Sequence, residues 1–260
     1  MTHYNVAVIS RRPEDVEDLL APFDENLEVE PYFYRTKKEL LEAERKSNSN
    51  FFDFILKNID QYKEQFDKYC DCENWDDDKV FENYLLNEYT CPLEKLKEIG
   101  YFDEQGNEYK KENPNSKWDY YRVIGDVPTK NGIKPYALVK DVQFYQENPE
   151  DNKKLSEYWD SIFLDREWTE EEKKDFGFLR PKKSYMVERY GTKENFIKES
   201  NTFRTYAILT PDGKWHEPGQ VGWFGSSSAT VEDEKKFQDE YFKILEDYQD
   251  CYFVLVNCHI

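Results

Sequence analysis

Two short segments at opposite ends of the chain, YNVAVIS at 4–10 and CYFVLVNCHI at 251–260, carry apolar residues on both faces of an extended backbone. Successive side chains of a strand point to opposite sides, so each segment needs cover above and below and reads as an inner or well-covered strand. Burying both in one core brings the chain ends together. Only 38% of the residues are hydrophobic, yet Tyr, Phe and Trp alone make up 17%, so that core must be largely aromatic. Aromatic content of this kind also argues against disorder, and 260 residues suffice for a substantial core.

The segments next to these strands alternate helix and strand signals. Pro13 suits a first helical turn, and Val16, Leu19, Leu20 and Phe23 follow at i, i+3, i+4, i+7 spacing. EVEPYFYR at 28–35 reads as a second strand, with Pro31 placing it at a sheet edge. Thr36 and Glu39 form a capping box for a helix carrying Leu40 and Leu41. At the far end, FRTYAILT at 203–210 reads as a strand turning at Pro211-Asp212-Gly213. A helix starting at Thr230 and Asp233 then carries Phe237, Tyr241, Ile244, Leu245 and Tyr248. This order predicts an α+β fold: a ferredoxin-like (βαβ…βαβ) antiparallel sheet with a large, mostly helical insertion. Residues 1–48 plus 201–260 form the expected core, and 49–200 the acidic insertion.

Within the insertion, Phe52, Ile55, Leu56, Ile59, Tyr62 and Phe66 trace one helix face. Shorter helices are predicted over 77–88 and 92–99, a loop over 100–116, and strands in WDYYRVIG and YALVKDVQFY. Further helices are expected near 151–165 and over 169–176, the second capped by Thr169 and Glu172.

The chain has 36 basic and 55 acidic side chains, a formal charge of −19. Such a surface repels phosphate backbones and anionic membranes, which excludes direct nucleic-acid binding and favours a protein partner with a basic surface. Residues 60–112 hold 16 acidic and 7 basic side chains, a net of −9. The densest run, Asp76, Asp77 and Asp78 beside Asp71 and Glu73, lacks the alternating oxygen ligands and Gly turn of a calcium loop. It suits a solvated helix start, where carboxylates complement the dipole, and these five residues are the expected partner-binding set. Five cysteines form no paired framework, no signal peptide is legible, and no apolar run nears the ~20 residues of a membrane span. A cytoplasmic protein with reduced thiols is the expectation.

Two polar–aromatic motifs are candidates for chemistry. In the run 116–122, Lys117, Trp118, Asp119 and Arg122 combine cations with aromatics that can hold a nucleotide or phosphate. An extended backbone would set Lys117, Asp119 and Tyr121 opposite Trp118, Tyr120 and Arg122. The alternative is a packing anchor, with Asp119 capping a turn and Arg122 neutralising a carboxylate; no Gly-rich phosphate cradle lies nearby. The second motif, Trp215, His216 and Glu217 with Trp223 and Phe224, sets a His beside a Glu on a Gly- and Pro-rich loop. Adjacent loop residues need not face each other, and no nucleophile is fixed nearby, so no catalytic residue is assigned. In the expected sheet His3 lies near Cys258 and His259. His216 follows a third strand parallel to the first and falls at the opposite end, so three histidines do not converge. No metal and no cofactor are expected.

Four segments together resemble an uncharacterised family of tailed-phage and prophage proteins: LAPFDENLEVEPY at 20–32, ENPNSKWDYYRVIG at 112–125, TPDGKWHEPGQVGWFG at 210–225, and VNCHI at 256–260. Most of 40–110 and 140–200 is unmatched. The family's middle motif continues as Gly-Gly-Arg-Trp where this chain has Gly125-Asp126-Val127, and its terminus has Asp where Asn257 stands. The resemblance implies a phage-encoded accessory protein acting inside a bacterium. With the charge, it predicts a binder that modulates, by inhibition, a host protein such as a defence component, mimicking nucleic-acid charge. The alternative is a small-ligand or nucleotide-binding protein or enzyme with its site between sheet and insertion.

Overall fold

The computed structural model describes residues 2–43, 102–164, 166–177, 180–222 and 226–260. It is a mixed α+β structure of two compact units, Met1–Glu25 with Asn115–Ile260, and Asn26–Pro114. Residues 115–200, expected within the insertion, thus belong to the unit that holds both chain ends. The helices expected over 52–66, 77–88 and 92–99 lie outside the described residues, as do Asp71, Glu73, Asp76, Asp77 and Asp78. No helix among the described residues is long and apolar enough to cross a membrane.

The larger unit is built on β1 (His3–Ser10) and β10 (Tyr252–His259), paired antiparallel from His3↔His259 to Ser10↔Tyr252. Around them lie β4 (Tyr120–Val123), β8 (Ala207–Leu209) and β9 (Trp215–His216), in the order β4-β10-β1-β8-β9. After a separate antiparallel ribbon of β5 (Val127–Thr129) and β6 (Gly132–Lys134), a short β7 (Ala137–Leu138) pairs with the other end of β10. Both faces of β1 are apolar, and each finds its own cover. Ala7 and Ile9 pack with Phe237, Tyr241, Ile244 and Leu245 of a helix over Val231–Asp247. Val6 and Val8 pack with Val16, Leu20 and Phe23 from the short helix α1 (Val16–Leu20) and the turn after it. Thr230 caps the long helix in a box with Asp233, as its sequence predicts. Tyr241 is fully buried; its hydroxyl meets Thr205 Oγ1 at 3.1 Å, and burial pushes the phenol up to about 12.

The sheet is mixed, through the parallel pairing of β1 with β8 that the sequence leads one to expect of the first and third strands. The ferredoxin-like expectation differs from this sheet in two respects. The two helices cover opposite faces, as a strand apolar on both sides requires. The segment 28–35 is not in this sheet. The place beside β8 is taken by β9, which returns through the tight turn after Leu209, where Gly213 supplies a φ of 76°. Closing that short loop costs less entropy than returning a distant strand.

Residues 32–35 instead form β2 (Tyr32–Arg35) of the smaller unit, antiparallel to β3 (Glu108–Lys110). Arg35 pairs with Glu108 across this ribbon, and Lys110 Nζ sits 3.7 Å from the centre of the Tyr34 ring. Residues 37–43 are helical and begin at the expected capping box: Thr36 N donates to Glu39 at 2.8 Å, and Glu39 N to Thr36 Oγ1 at 3.3 Å.

Four helices follow the β-rich part of the larger unit: α2 (Pro149–Phe163), α3 (Glu170–Phe176), α4 (Lys183–Tyr190) and α5 (Lys193–Ser200). The Val231–Asp247 helix is α6. The Thr169–Glu172 capping box of α3 stands where the sequence places it. Helices α4 and α5 were not anticipated, although Gly191 (φ 73°) and the Thr192 cap mark the break between them. Trp159, Ile162, Trp168, Met186 and Phe196 form their aromatic core. Arg189, 4% exposed, ties these helices together: it reaches Glu199 of α5 at 3.0 Å and Glu234 of α6 at 2.7 Å.

Removing that guanidinium leaves two carboxylates without their cation in a largely dry site. Arg189→Ala is expected to lower unfolding free energy by about 3–5 kcal/mol in urea denaturation. A loss below about 1 kcal/mol would show that packing alone holds α4, α5 and α6 together.

Candidate functional site

The run 115–119 is laid down before the edge strand begins. Lys117 N and Trp118 N donate to Phe23 O at 2.8 and 3.3 Å, and Glu25 N donates to Trp118 O at 2.7 Å. A parallel bridge between Asp24 and Trp118 marks this seam. Asp119 N then donates to His259 O at 3.1 Å, and β4 starts at Tyr120 against β10. The expected strict alternation across 117–122 therefore fails: two backbone geometries meet at Asp119. Trp118 and Tyr121 end on the same side, rings edge-on at 4.9 Å.

Trp118 is buried, 7% exposed, in the core that contains Phe23 and α1. Its indole Nε1 has no hydrogen-bond partner among the described residues, so it contributes by area rather than by polar contact. Lys117, beside it, points to the second motif. Its Nζ lies 2.6 Å from Glu217 Oε1, and the other oxygen of Glu217 accepts from Trp215 Nε1 at 2.8 Å. Trp215 in turn packs on Phe23, ring centres 5.0 Å apart. The two motifs, about a hundred residues apart in the chain, are thus one cluster in space. Tyr4 joins it, its hydroxyl donating to Lys117 O. Burial, and then the nearby Cys258, Glu217 and Tyr206, push that phenol well above its ordinary range.

His216 is not part of this cluster. It precedes Glu217 in the chain, but its Nδ1 meets Glu240 of α6 at 2.7 Å, while Glu217 is engaged with Lys117 and Trp215. The pair His216–Glu217 is therefore not an acid–base unit. Trp223 and Phe224 lie outside the described residues. Asp119 Oδ1 accepts from His259 Nδ1 at 2.6 Å. Arg122, opposite Asn257 in the β4–β10 register, is exposed and makes no ion pair among the described residues.

No family model, curated protein or solved structure matches this chain. What the cluster can do is therefore read from its own chemistry. Lys117 and Glu217 neutralise each other, both oxygens of Glu217 are occupied, and the Trp118 indole is enclosed. Cys258, a thiol buried in this core, is pushed up to about 12 by burial and is not a nucleophile at neutral pH. The arrangement packs a loop onto a sheet.

Sequence reasoning separated Lys117 from Glu217 because their pairing depends on where β9 lies. It overlooked Tyr4 and Phe23, which the strand and helix patterns mark only as apolar. It did put His3 near His259, and the two rings stand 4.8 Å apart. Cys258, expected with them, faces away: strand alternation sends it into the core on the other side of the sheet.

If Trp118 is the anchor and Arg122 a bystander, their substitutions separate cleanly. Trp118→Ala is expected to cost about 3–5 kcal/mol of stability in urea denaturation, and Arg122→Ala less than about 0.5 kcal/mol. Comparable losses in the two variants would return Arg122 to the packing unit.

Proposed function

We propose that this chain is a phage-encoded, acidic accessory protein that works in the cytoplasm of a bacterial host. It binds and inhibits a host protein, such as a defence component, and offers clustered carboxylates to a basic groove built for nucleic acid. The observation that carries this reading is the contrast between the candidate chemistry and the charge. Lys117, Glu217, Asp119 and His216 are each engaged in ion pairs or hydrogen bonds inside the protein, whereas the chain keeps a formal charge of −19. The phage-family resemblance of the four motif segments points the same way. A field of that size speeds encounter with a basic partner and repels nucleic acid itself.

Asp71, Glu73, Asp76, Asp77 and Asp78 are the proposed contact set. Once a partner is recovered by pull-down from bacterial lysate, its association rate with the wild-type chain and with the combined Asp76→Asn, Asp77→Asn, Asp78→Asn variant tests the proposal. Association should slow several-fold at low salt, with little change in dissociation, and the gap should close as screening shortens to ~8 Å at physiological ionic strength. Equal association rates at low salt would remove the charge-mimic reading.

A second reading, a small-ligand or nucleotide-binding protein or enzyme, is favoured by an open cavity of about 500 Å³ beside α2 and α5. Leu155, Tyr158, Phe176 and Phe196 line it together with Asp151 and Lys154, and its volume falls in the range of ligand pockets. A thermal-shift screen of nucleotides and small phosphates is the discriminating measurement. A saturable rise in Tm that disappears in Lys154→Ala would favour this second reading over the first; a flat screen would leave the cavity a surface hollow.

A further inference from the structure

At the end of the sheet where both chain termini lie, the α6-side face becomes polar. His3 and His259 stand directly opposite in the β1–β10 register, and Asn5 and Asn257 form the next rung on the same face. The hydrogen bonds there fix which ring nitrogen carries the proton. A carboxylate only accepts, so the 2.6 Å contact to Asp119 Oδ1 makes His259 Nδ1 a donor. Asn257 Nδ2 donates to Asn5 Oδ1 at 3.0 Å, which turns Asn257 Oδ1 toward His3. That oxygen, 2.9 Å from His3 Nδ1, must accept, so His3 Nδ1 is a donor too. In its neutral form each ring is therefore held with Nδ1–H committed to the protein and the Nε2 lone pair uncommitted. Neither Nε2 has a protein partner among the described residues.

That is the arrangement by which proteins prepare imidazole for a metal ion: the far nitrogen donates to a carboxylate or carbonyl, which fixes the tautomer and strengthens the ligand. The spacing agrees. Two imidazoles sharing a cation through Nε2 at about 2.1 Å, with an angle of about 90–110° at the metal, have ring centres about 4.6–5.3 Å apart. The rings of His3 and His259 are 4.8 Å apart. We propose that His3 and His259, oriented by Asn257 and Asp119, form a cross-strand two-histidine site for a divalent transition-metal ion of the Zn²⁺ and Ni²⁺ class. Imidazole nitrogen suits these ions and not Mg²⁺ or Ca²⁺. Among the described residues no group of three or more His, Cys, Asp and Glu is placed to hold a metal, so the protein supplies two ligands and water completes the shell. Cys258 takes no part, being buried on the opposite face.

The test is isothermal titration of Zn²⁺, and separately of Ni²⁺, into the full chain at neutral pH, with Mg²⁺ as the hard-ion control. His3→Gln is the decisive variant, because His3 is exposed at the start of its strand and its loss leaves both cores intact. One saturable site for Zn²⁺ and Ni²⁺ is expected, weakened about tenfold or more in His3→Gln and in His259→Gln, and about tenfold in Asp119→Asn. Imidazole nitrogen spectra should show Zn²⁺ moving Nε2 of both rings while Nδ1 stays protonated, a readout that survives if His259→Gln, in a central strand, fails to fold. No saturable Zn²⁺ binding, or equal affinity in His3→Gln, overturns the proposal; the second result would assign the ion to other residues of the chain.

Discussion

The larger unit depends on one pairing, β1 with β10, which joins residues some 250 positions apart in the chain. Closing a loop of that length is entropically unfavourable, though the penalty grows only slowly with length. What offsets it is burial on both faces at once. Val6, Ala7, Val8 and Ile9 are 0% exposed, and Phe253, Val254, Leu255 and Val256 are all below 5%, so successive rungs seal the two cores in alternation. Every other strand of the sheet is short: β4 and β7 are recruited to β10 and β8 to β1, and β9 is added to β8.

The same pairing organises the polar residues. Because side chains alternate, it sends Tyr4, Cys258 and the Lys117–Glu217 cluster to one side of the sheet, and the His3, His259, Asn5 and Asn257 set to the other. The first side is closed by aromatics, with Phe23, Trp118 and Trp215 filling the space around α1, and its charges are spent on one another. The second side stays open where α6 no longer covers it. The enclosed Lys117–Glu217 pair sits where Trp215 can satisfy the remaining carboxylate oxygen, which is the condition for such a pair not to be costly.

Much of the local structure was legible from residues alone. The capping boxes at Thr36, Thr169 and Thr230, the apolar stripe of α6 and the Pro211-Asp212-Gly213 turn each follow from a short-range rule, and the pairing of the chain ends was expected from the order of elements along the chain. The ferredoxin-like arrangement did not follow. It required EVEPYFYR to return to the sheet, and nothing local to that segment says which partner it takes; Phe33 and Tyr34 are both exposed in the ribbon it forms with 108–110. In the site, Lys117, Asp119, Glu217 and His259 were all visible as residues, but their pairing was not, since the Lys117–Glu217 and Asp119–His259 contacts each cross a hundred or more positions.

By itself, then, the sequence determined several of the strands and helices and their caps, that both terminal strands are buried on two faces, and that the chain carries a large negative charge. Those properties reside in periodicity, caps and composition, which are local or additive. Only the tertiary structure decided that β9 rather than 28–35 completes the sheet, that α1 and α6 lie on opposite faces, that Lys117 meets Glu217, and that Asp119 orients His259. Such choices turn on competition among distant segments for the same edge or the same face. They are settled by loop-closure entropy and by which packing buries the most apolar surface, and neither is written in any one stretch of residues.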